Sequence, residues 1–220
     1  MIALAYALAV LACAPSVKVR PPSFQDDCDS FNSDLWSKAE WALGRGYVRA
    51  ANDSASGGYY DLKLKANTWD GAEIYTPALY LNGCAKACCR CAPVAGATSA
   101  LFFYQGVRAA NDEIDIEASR DSLDWRICFT VWTDGYVKWS AGYHPSFDPS
   151  AGFHEYCIDW ASDSIAFLVD GQNKGTYDGA GLPTDSMQIH LNCWWPNSGT
   201  ALKPTSDKLM QIDSVSYTNY

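Results

Sequence analysis

Glu113, Asp115 and Glu117 alternate with Ile114 and Ile116, and a period of two is the period of a β-strand. Extended, the five residues put three carboxylates on one face and two branched aliphatic side chains on the other. Like charges side by side on a sheet repel, so such a face persists where the charge is used or fully solvated. The outer two Cα atoms would stand about 13 Å apart at ~3.3 Å per residue. Two glutamate side chains leaning toward each other would close most of that gap.

The same period recurs along the chain. Between 59 and 65, Tyr60, Leu62 and Leu64 share one face while Asp61 and Lys63 take the other. Further strands are expected at 72–80, 99–105, 112–118, 126–132, 135–141, 154–160, 164–170, 186–193 and 209–217. Turn signals separate them at Asn52-Asp53, Ser56-Gly57-Gly58, Asp70-Gly71, Asp134-Gly135, Asp170-Gly171 and Gly181-Leu182-Pro183. No segment holds an apolar 3.6-residue period over three turns. The pattern predicts an all-β fold, an antiparallel β-sandwich of jelly-roll type with a concave substrate cleft and the carboxylate strand in mid-sheet.

With 220 residues the chain suits one large sandwich and is short for two cores. Its net charge of −9 argues against nucleic acid and anionic membrane surfaces as partners. Nine tryptophans exceed the needs of such a core, and Trp and Tyr suit sugar faces, with a flat apolar ring and a polar edge.

Residues 1–14 are apolar and end in Ala12-Cys13-Ala14 before Pro15. The run is too short to span a membrane, lacks a basic start, and reads as a signal peptide over 1–16, leaving a domain at 17–220. A lipoprotein-like box at Val10-Leu11-Ala12-Cys13 and a buried N-terminal strand are the alternatives. Removing Cys13 leaves eight of nine cysteines, an even number suited to disulfides in an oxidising compartment. Four of them, Cys84, Cys88, Cys89 and Cys91, are too crowded for a pair of separated CxxC motifs, which disfavours zinc. Sequence leaves the pairing open, and buried free thiols are the alternative.

Carboxylates spaced like Glu113 and Glu117 have a specific chemical use. A retaining glycosidase needs a nucleophile and an acid/base roughly 5 to 5.5 Å apart. A merely solvated acidic strand is the competing reading, and the surrounding strands decide between them. Asp112-Glu113-Ile114-Asp115-Ile116-Glu117 resembles the signature of glycoside hydrolase family 16 in its unbulged form, closest to the lichenase-type endo-β-1,3-1,4-glucanases of bacteria. The likeness runs from about residue 24 to 220. It includes Phe31-Asn32-Ser33 with Leu35-Trp36, the strand from Val94 to Tyr104, Phe153-His154-Glu155-Tyr156 with Asp159-Trp160, Leu191-Asn192 with Trp194, and Ile212-Asp213 with Val215 and Tyr217.

The resemblance implies that Glu113 is the nucleophile and Glu117 the acid/base, with Asp115 hydrogen-bonding the nucleophile and holding the two pKa values apart. It also implies sugar contacts from Asn192 and Trp194, and assigns Glu73 to the cleft. Trp132 stands beside Thr130 and Val131, where lichenases carry an Asn-Tyr pair, and is a further candidate substrate contact. Asp213 matches the carboxylate ligand of a structural calcium, with carbonyls near Ser30 and Gly58; no cofactor is required for the reaction. His144, His154 and His190 are scattered without ligand spacing and read as packing residues.

Several positions depart from the family. Asn111 stands where Trp often precedes the motif, Ala118-Ser119-Arg120 replaces Phe-Leu-Gly, and Tyr75 replaces an arginine. These changes alter the cleft and spare the carboxylates. The expected activity is a secreted endo-β-glucanase acting on mixed-linkage β-1,3-1,4-glucan or β-1,3-glucan, as a monomer. A transglycosylase using the same carboxylates is the alternative within enzymes, and a non-catalytic glucan-binding lectin the alternative outside them. Retention of both glutamates counts against the lectin.

Overall fold

The computed structural model describes residues 22–106, 110–121 and 124–220. The signal peptide expected over 1–16 lies outside the described residues. Seventeen strands are formed among them. The first seven are β1 (Phe24–Asp26), β2 (Ser37–Lys38), β3 (Trp41–Leu43), β4 (Gly46–Val48), β5 (Asp53–Ser56), β6 (Tyr59–Leu64) and β7 (Ala72–Tyr75). Next come β8 (Gly83–Arg90), β9 (Thr98–Gln105), β10 (Asp112–Arg120), β11 (Trp125–Thr133) and β12 (Tyr136–Tyr143). The last are β13 (His154–Trp160), β14 (Ile165–Val169), β15 (Gln172–Tyr177), β16 (Gln188–Trp194) and β17 (Lys208–Thr218). One 3-10 turn, Ala50–Asn52, interrupts them.

Two antiparallel sheets pack face to face. One has the order β12-β11-β10-β9-β16-β7-β2; the other runs β15-β14-β13-β8-β17-β6-β5, with β1 paired to β17. β3 and β4 form a separate hairpin. The core lies between the sheets because alternate residues of each strand are apolar. Ile114 and Ile116 of β10 enter it beside Phe103, Phe129, Val131 and Leu191, and meet Ile158, Trp160, Phe167 and Ile212 from the other sheet. The alternation predicted for 59–65 holds for Tyr60, Leu62 and Leu64, whereas Asp61 is also buried, where it accepts hydrogen bonds from Ser56 and Gln211. The all-β sandwich expected from the sequence is therefore the fold observed.

Three differences have local causes. The expected strand 72–80 stops at Tyr75, because Pro77 has no N–H to extend a ladder. Tyr80 rejoins through a bridge to Met187. β8 has a Cys- and Ala-rich sequence of weak strand propensity, yet Ala85, Ala87 and Cys89 alternate into the core. The polar β15 is an edge strand, needing no apolar face beyond Tyr177.

All eight described cysteines carry free thiols, and the sulfurs of Cys84 and Cys157 lie 2.9 Å apart. Cys28, Cys89, Cys91 and Cys193 serve as small core residues, a use of cysteine that carries no redox information in its spacing.

Candidate active site

β10 is the third strand of its sheet and is paired on both sides, so its outward side chains are fixed in a grid. From Glu113 to Ser119 it stays in register with β9 and β11 without a bulge. Tyr104 and Trp132 flank Glu113, Phe102 and Thr130 flank Asp115, and Ala100 and Cys128 flank Glu117. Beyond β9, β16 contributes Gln188, His190 and Asn192 at the same three levels. β7 then adds Tyr75 beside His190 and Glu73 beside Asn192. The three carboxylates predicted to share a face thus do so, on the side away from the core.

Their environments differ. The side-chain amide of Asn111 donates to Oε2 of Glu113 at 2.6 Å. The indole N–H of Trp132 donates to Oδ2 of Asp115 at 3.2 Å. Burial pushes Glu113 up to about 7, with the Glu117 charge adding to the rise, while hydrogen bonds from Asp115 and Asn111 oppose it. Asp115 is raised further, first by burial and then by the charges of Glu113 and Glu117. It therefore keeps its proton and donates it to Glu113 as a hydrogen bond. Glu117 is raised by burial alone. Of the two glutamates, Glu113 is the one whose carboxylate receives side-chain hydrogen bonds, from Asn111 and Asp115, and these favour its charged form.

Asp112 anchors the start of the strand. Its carboxylate accepts the N–H of Asp134 at 3.1 Å and those of Thr184 and Asp185 at 3.3 and 3.5 Å. Asp134 and Gly135 both have positive φ, 55° and 76°, as a two-residue hairpin turn between β11 and β12 requires. The N–H of Gly135 donates to the Asn111 carbonyl at 2.9 Å, tying that turn to the residue that touches Glu113.

Glu73, His190 and Asn192 form a buried group beside the carboxylates, only 2%, 3% and 3% exposed. Nδ1–H of His190 donates to Glu73 Oε1 at 2.8 Å, and the Asn192 amide donates to Oε2 at 3.1 Å. Both oxygens of Glu73 are thus engaged within the sheet, whereas Oδ1 of Asn192 has no hydrogen-bond partner among the described residues. His190, read from sequence as a packing residue, is packed, with its ring between Tyr75 and Phe102 at centroid distances of 5.5 and 4.7 Å. It also belongs to the site. The signal was present in the sequence, because His190, Asn192 and Trp194 alternate just as the carboxylates do. Trp41 continues the aromatic row over Tyr75 at 5.4 Å.

Trp194 ends β16, half-buried beneath the β3–β4 hairpin. Gly44 forms the hairpin tip at φ 57°, and a Cβ there would lie 2.0 Å from the Trp195 carbonyl and 2.8 Å from the Trp194 ring. Only glycine lets the hairpin close on that ring. Trp132, the further candidate substrate contact, pairs with Glu113 and donates its N–H to Asp115, which leaves its ring for other contacts.

Asp213 is remote from this face. It occupies the irregularity of β17 opposite Cys88 and Cys89. Its charge helps push the Cys28 thiol up to about 12, behind burial and Asp26. Asp29 Oδ1 lies 3.6 Å from the point where Gly58 would carry a Cβ. The segments at 28–30, 58 and 213 therefore lie near one another, with Asp213 contributing a carboxylate. No cluster of three or more His, Cys, Asp or Glu side chains suited to a metal occurs among the described residues, so a calcium site there would depend on backbone carbonyls.

Comparison with known proteins agrees with this geometry. Residues 36–214 match the model of glycosyl hydrolases family 16. A β-glucanase of Paenibacillus macerans is 30% identical over 96% of this chain and 91% of its own length. The solved Bacillus licheniformis β-glucanase superposes with a TM-score of 0.80 at 26% identity, covering 91% of this chain and 99% of that one. A β-1,3-1,4-glucanase (lichenase) from a mouse hindgut metagenome gives 0.79 at 26% identity, covering 90% and 100%.

Proposed function

Since the chain belongs to glycosyl hydrolase family 16, we propose that it is a retaining endo-β-glucanase in which Glu113 is the nucleophile and Glu117 the acid/base. One observation carries the assignment of roles. Glu113 receives hydrogen bonds from Asn111 and Asp115 that favour its charged form, while Glu117 is raised by burial, which favours its protonated form.

The steps follow. A Glu113 oxygen attacks the anomeric carbon as Glu117 protonates the departing glycosidic oxygen, which breaks the glycosidic bond and leaves a glycosyl ester. Glu117, now ionised, takes a proton from water; that water attacks the same carbon and frees the Glu113 carboxylate. Asp115 donates to Glu113 throughout and is held by Trp132. The aromatic row of Trp41, Tyr75 and Phe102, with Trp194 at its edge, supplies flat apolar faces for sugar rings.

The substrate class is a β-1,3-1,4- or β-1,3-glucan, a reading supported by the lichenase and β-glucanase relatives. Incubation with barley β-glucan, lichenan, laminarin, xyloglucan and agarose in parallel tests it. Oligosaccharide release from the first three is expected; release from xyloglucan or agarose alone would refute it. Longer products than the substrate supplied would favour transglycosylation instead.

Residues 1–16 act as a signal peptide in this reading, and 17–220 form a secreted, monomeric domain. A calcium ion held by Asp213 and carbonyls of the 30 and 58 segments would fasten the N-terminal segment to β17, away from the chemistry. With calcium present the melting temperature is expected to exceed that in excess chelator by several degrees, with kcat at low temperature unchanged. Identical melting curves would exclude the site, and Asp213→Asn would abolish a genuine shift.

A further inference from the structure

Asn111 stands where relatives of this family often carry Trp, and its chemistry here differs from what an indole would offer. It is 6% exposed, and its amide nitrogen lies 2.6 Å from Oε2 of Glu113. Its carbonyl is held by the N–H of Gly135. The next residue, Asp112, is held by three backbone N–H groups from the 134 and 184–185 loops. The amide is thus locked from behind and presents one N–H to a carboxylate oxygen. We infer that Asn111 is a positioning residue of the nucleophile: it fixes Oε2, which orients the Glu113 carboxylate and favours its charged form.

This inference rests on Glu113 being the nucleophile. Glu117 on the same strand and Glu73 on β7 repel the Glu113 charge, and Tyr104 on β9 pairs with Glu113 across the strands. Asp115 is the other donor, and Asp115 is itself tied to Trp132. His190 is turned to Glu73. Asn111 is therefore a donor to Glu113 that bears no charge and does not titrate.

The test is the pH dependence of kcat/KM for Asn111→Ala and for the isosteric Asn111→Asp. Removing a hydrogen bond to a charged group is expected to move the acid limb up by about one pH unit in Asn111→Ala. Asn111→Asp should move it further, since it replaces the donor with a second carboxylate. KM is expected to stay within about twofold, with kcat down roughly tenfold at pH 5.5. An acid limb at the wild-type position in both variants, with or without a loss of kcat, would overturn the inference. If the alanine variant fails to fold, the isosteric variant decides. Glu113→Gln assayed alongside separates the two layers: high residual activity there would refute the nucleophile itself, whereas an inactive Glu113→Gln with unmoved acid limbs would refute only Asn111.

On the opposite sheet, Cys84 of β8 and Cys157 of β13 carry sulfurs 2.9 Å apart. That is closer than two sulfur van der Waals radii. The strands are adjacent and antiparallel, with Cys84 opposite Asp159 and Cys157 opposite Lys86, so both thiols stand on the outer face one step out of register. Cys84 is partly exposed and open to a reagent. We propose that these two thiols form a cross-strand disulfide by exchange with a disulfide donor: the two cysteines are oxidised to one S–S bond, and the donor is reduced to two thiols. The bond would span 73 residues of sequence that include β9 to β12, and with them the catalytic strand. Treatment with oxidised glutathione, followed by alkylation and non-reducing peptide mapping, should give a peptide linked through Cys84 and Cys157. The melting temperature should fall by about 10 °C on reduction, and not in Cys84→Ser. Both cysteines recovered alkylated after oxidation would overturn the proposal.

Discussion

Glu113→Gln and Glu117→Gln are each expected to lower kcat/KM by at least 10³-fold while the fold survives. The first removes the group that bonds to the anomeric carbon, the second the proton of the leaving oxygen, and acid–base assistance alone contributes about 10²- to 10⁴-fold. Both glutamates sit on a strand whose opposite face is anchored by Ile114 and Ile116, so neither change touches the core. Stability should move the other way. Glu113 is raised in the folded protein from 4.5 to about 7, so the native state holds a proton that the unfolded chain has released. Stability is then lost as pH rises from 4.5 through 7 and stays low above it, at a cost of about 2 to 3 kcal/mol. Gln removes that cost. Glu113→Gln should therefore melt higher than wild type at pH 8 and close to it at pH 4. A loss of activity below about tenfold, or a variant less stable than wild type at pH 8, would speak against these roles.

Asp115→Asn is expected to lower kcat by 10- to 100-fold with KM little changed. Asp115 is pushed up by burial between two carboxylates and thereby kept protonated, which makes it a donor to Glu113. An amide can still donate, so orientation is partly kept. The amide cannot carry a charge, so the linked titration of the trio is simplified and the pH optimum shifts. A pH–rate profile and turnover identical to wild type would make Asp115 a bystander. A rise in KM without a change in kcat would make it a sugar contact.

Much of this was legible in the chain. Strict alternation at Glu113 to Glu117 placed three carboxylates on one face, because side-chain direction in a strand follows from backbone geometry alone. The same reading of 59–65 and of 209–217 gave two strands of the second sheet. Periodicity missed β8, since Ala and Lys have little strand propensity, and residues 85–90 showed as a strand only by their match in position to the family; β8's place is set by β13 and β17 on either side. Glu73 was found by position, but its occupation by His190 and Asn192 depends on β7 lying beside β16, a pairing between residues 117 and 119 positions apart. Asn111 read only as a missing tryptophan. That its amide reaches Glu113 is set by the turn at Asp134-Gly135, which no local pattern around residue 111 reveals. Cysteine count suggested a framework of disulfides, whereas half of the described thiols belong to the core.

The central claim is that Glu113 attacks the anomeric carbon and Glu117 handles the proton, with an intermediate bonded to the enzyme. Two glutamates leaning toward each other on an unbulged strand can reach the roughly 5 to 5.5 Å separation that retention uses, whereas inversion needs about 6.5 to 9.5 Å. Proton NMR of the first minutes of β-glucan hydrolysis, before mutarotation, measures the outcome directly. The β-anomer is expected to appear first, with α-anomer growing in later; α-anomer as the first product would contradict a Glu113 nucleophile.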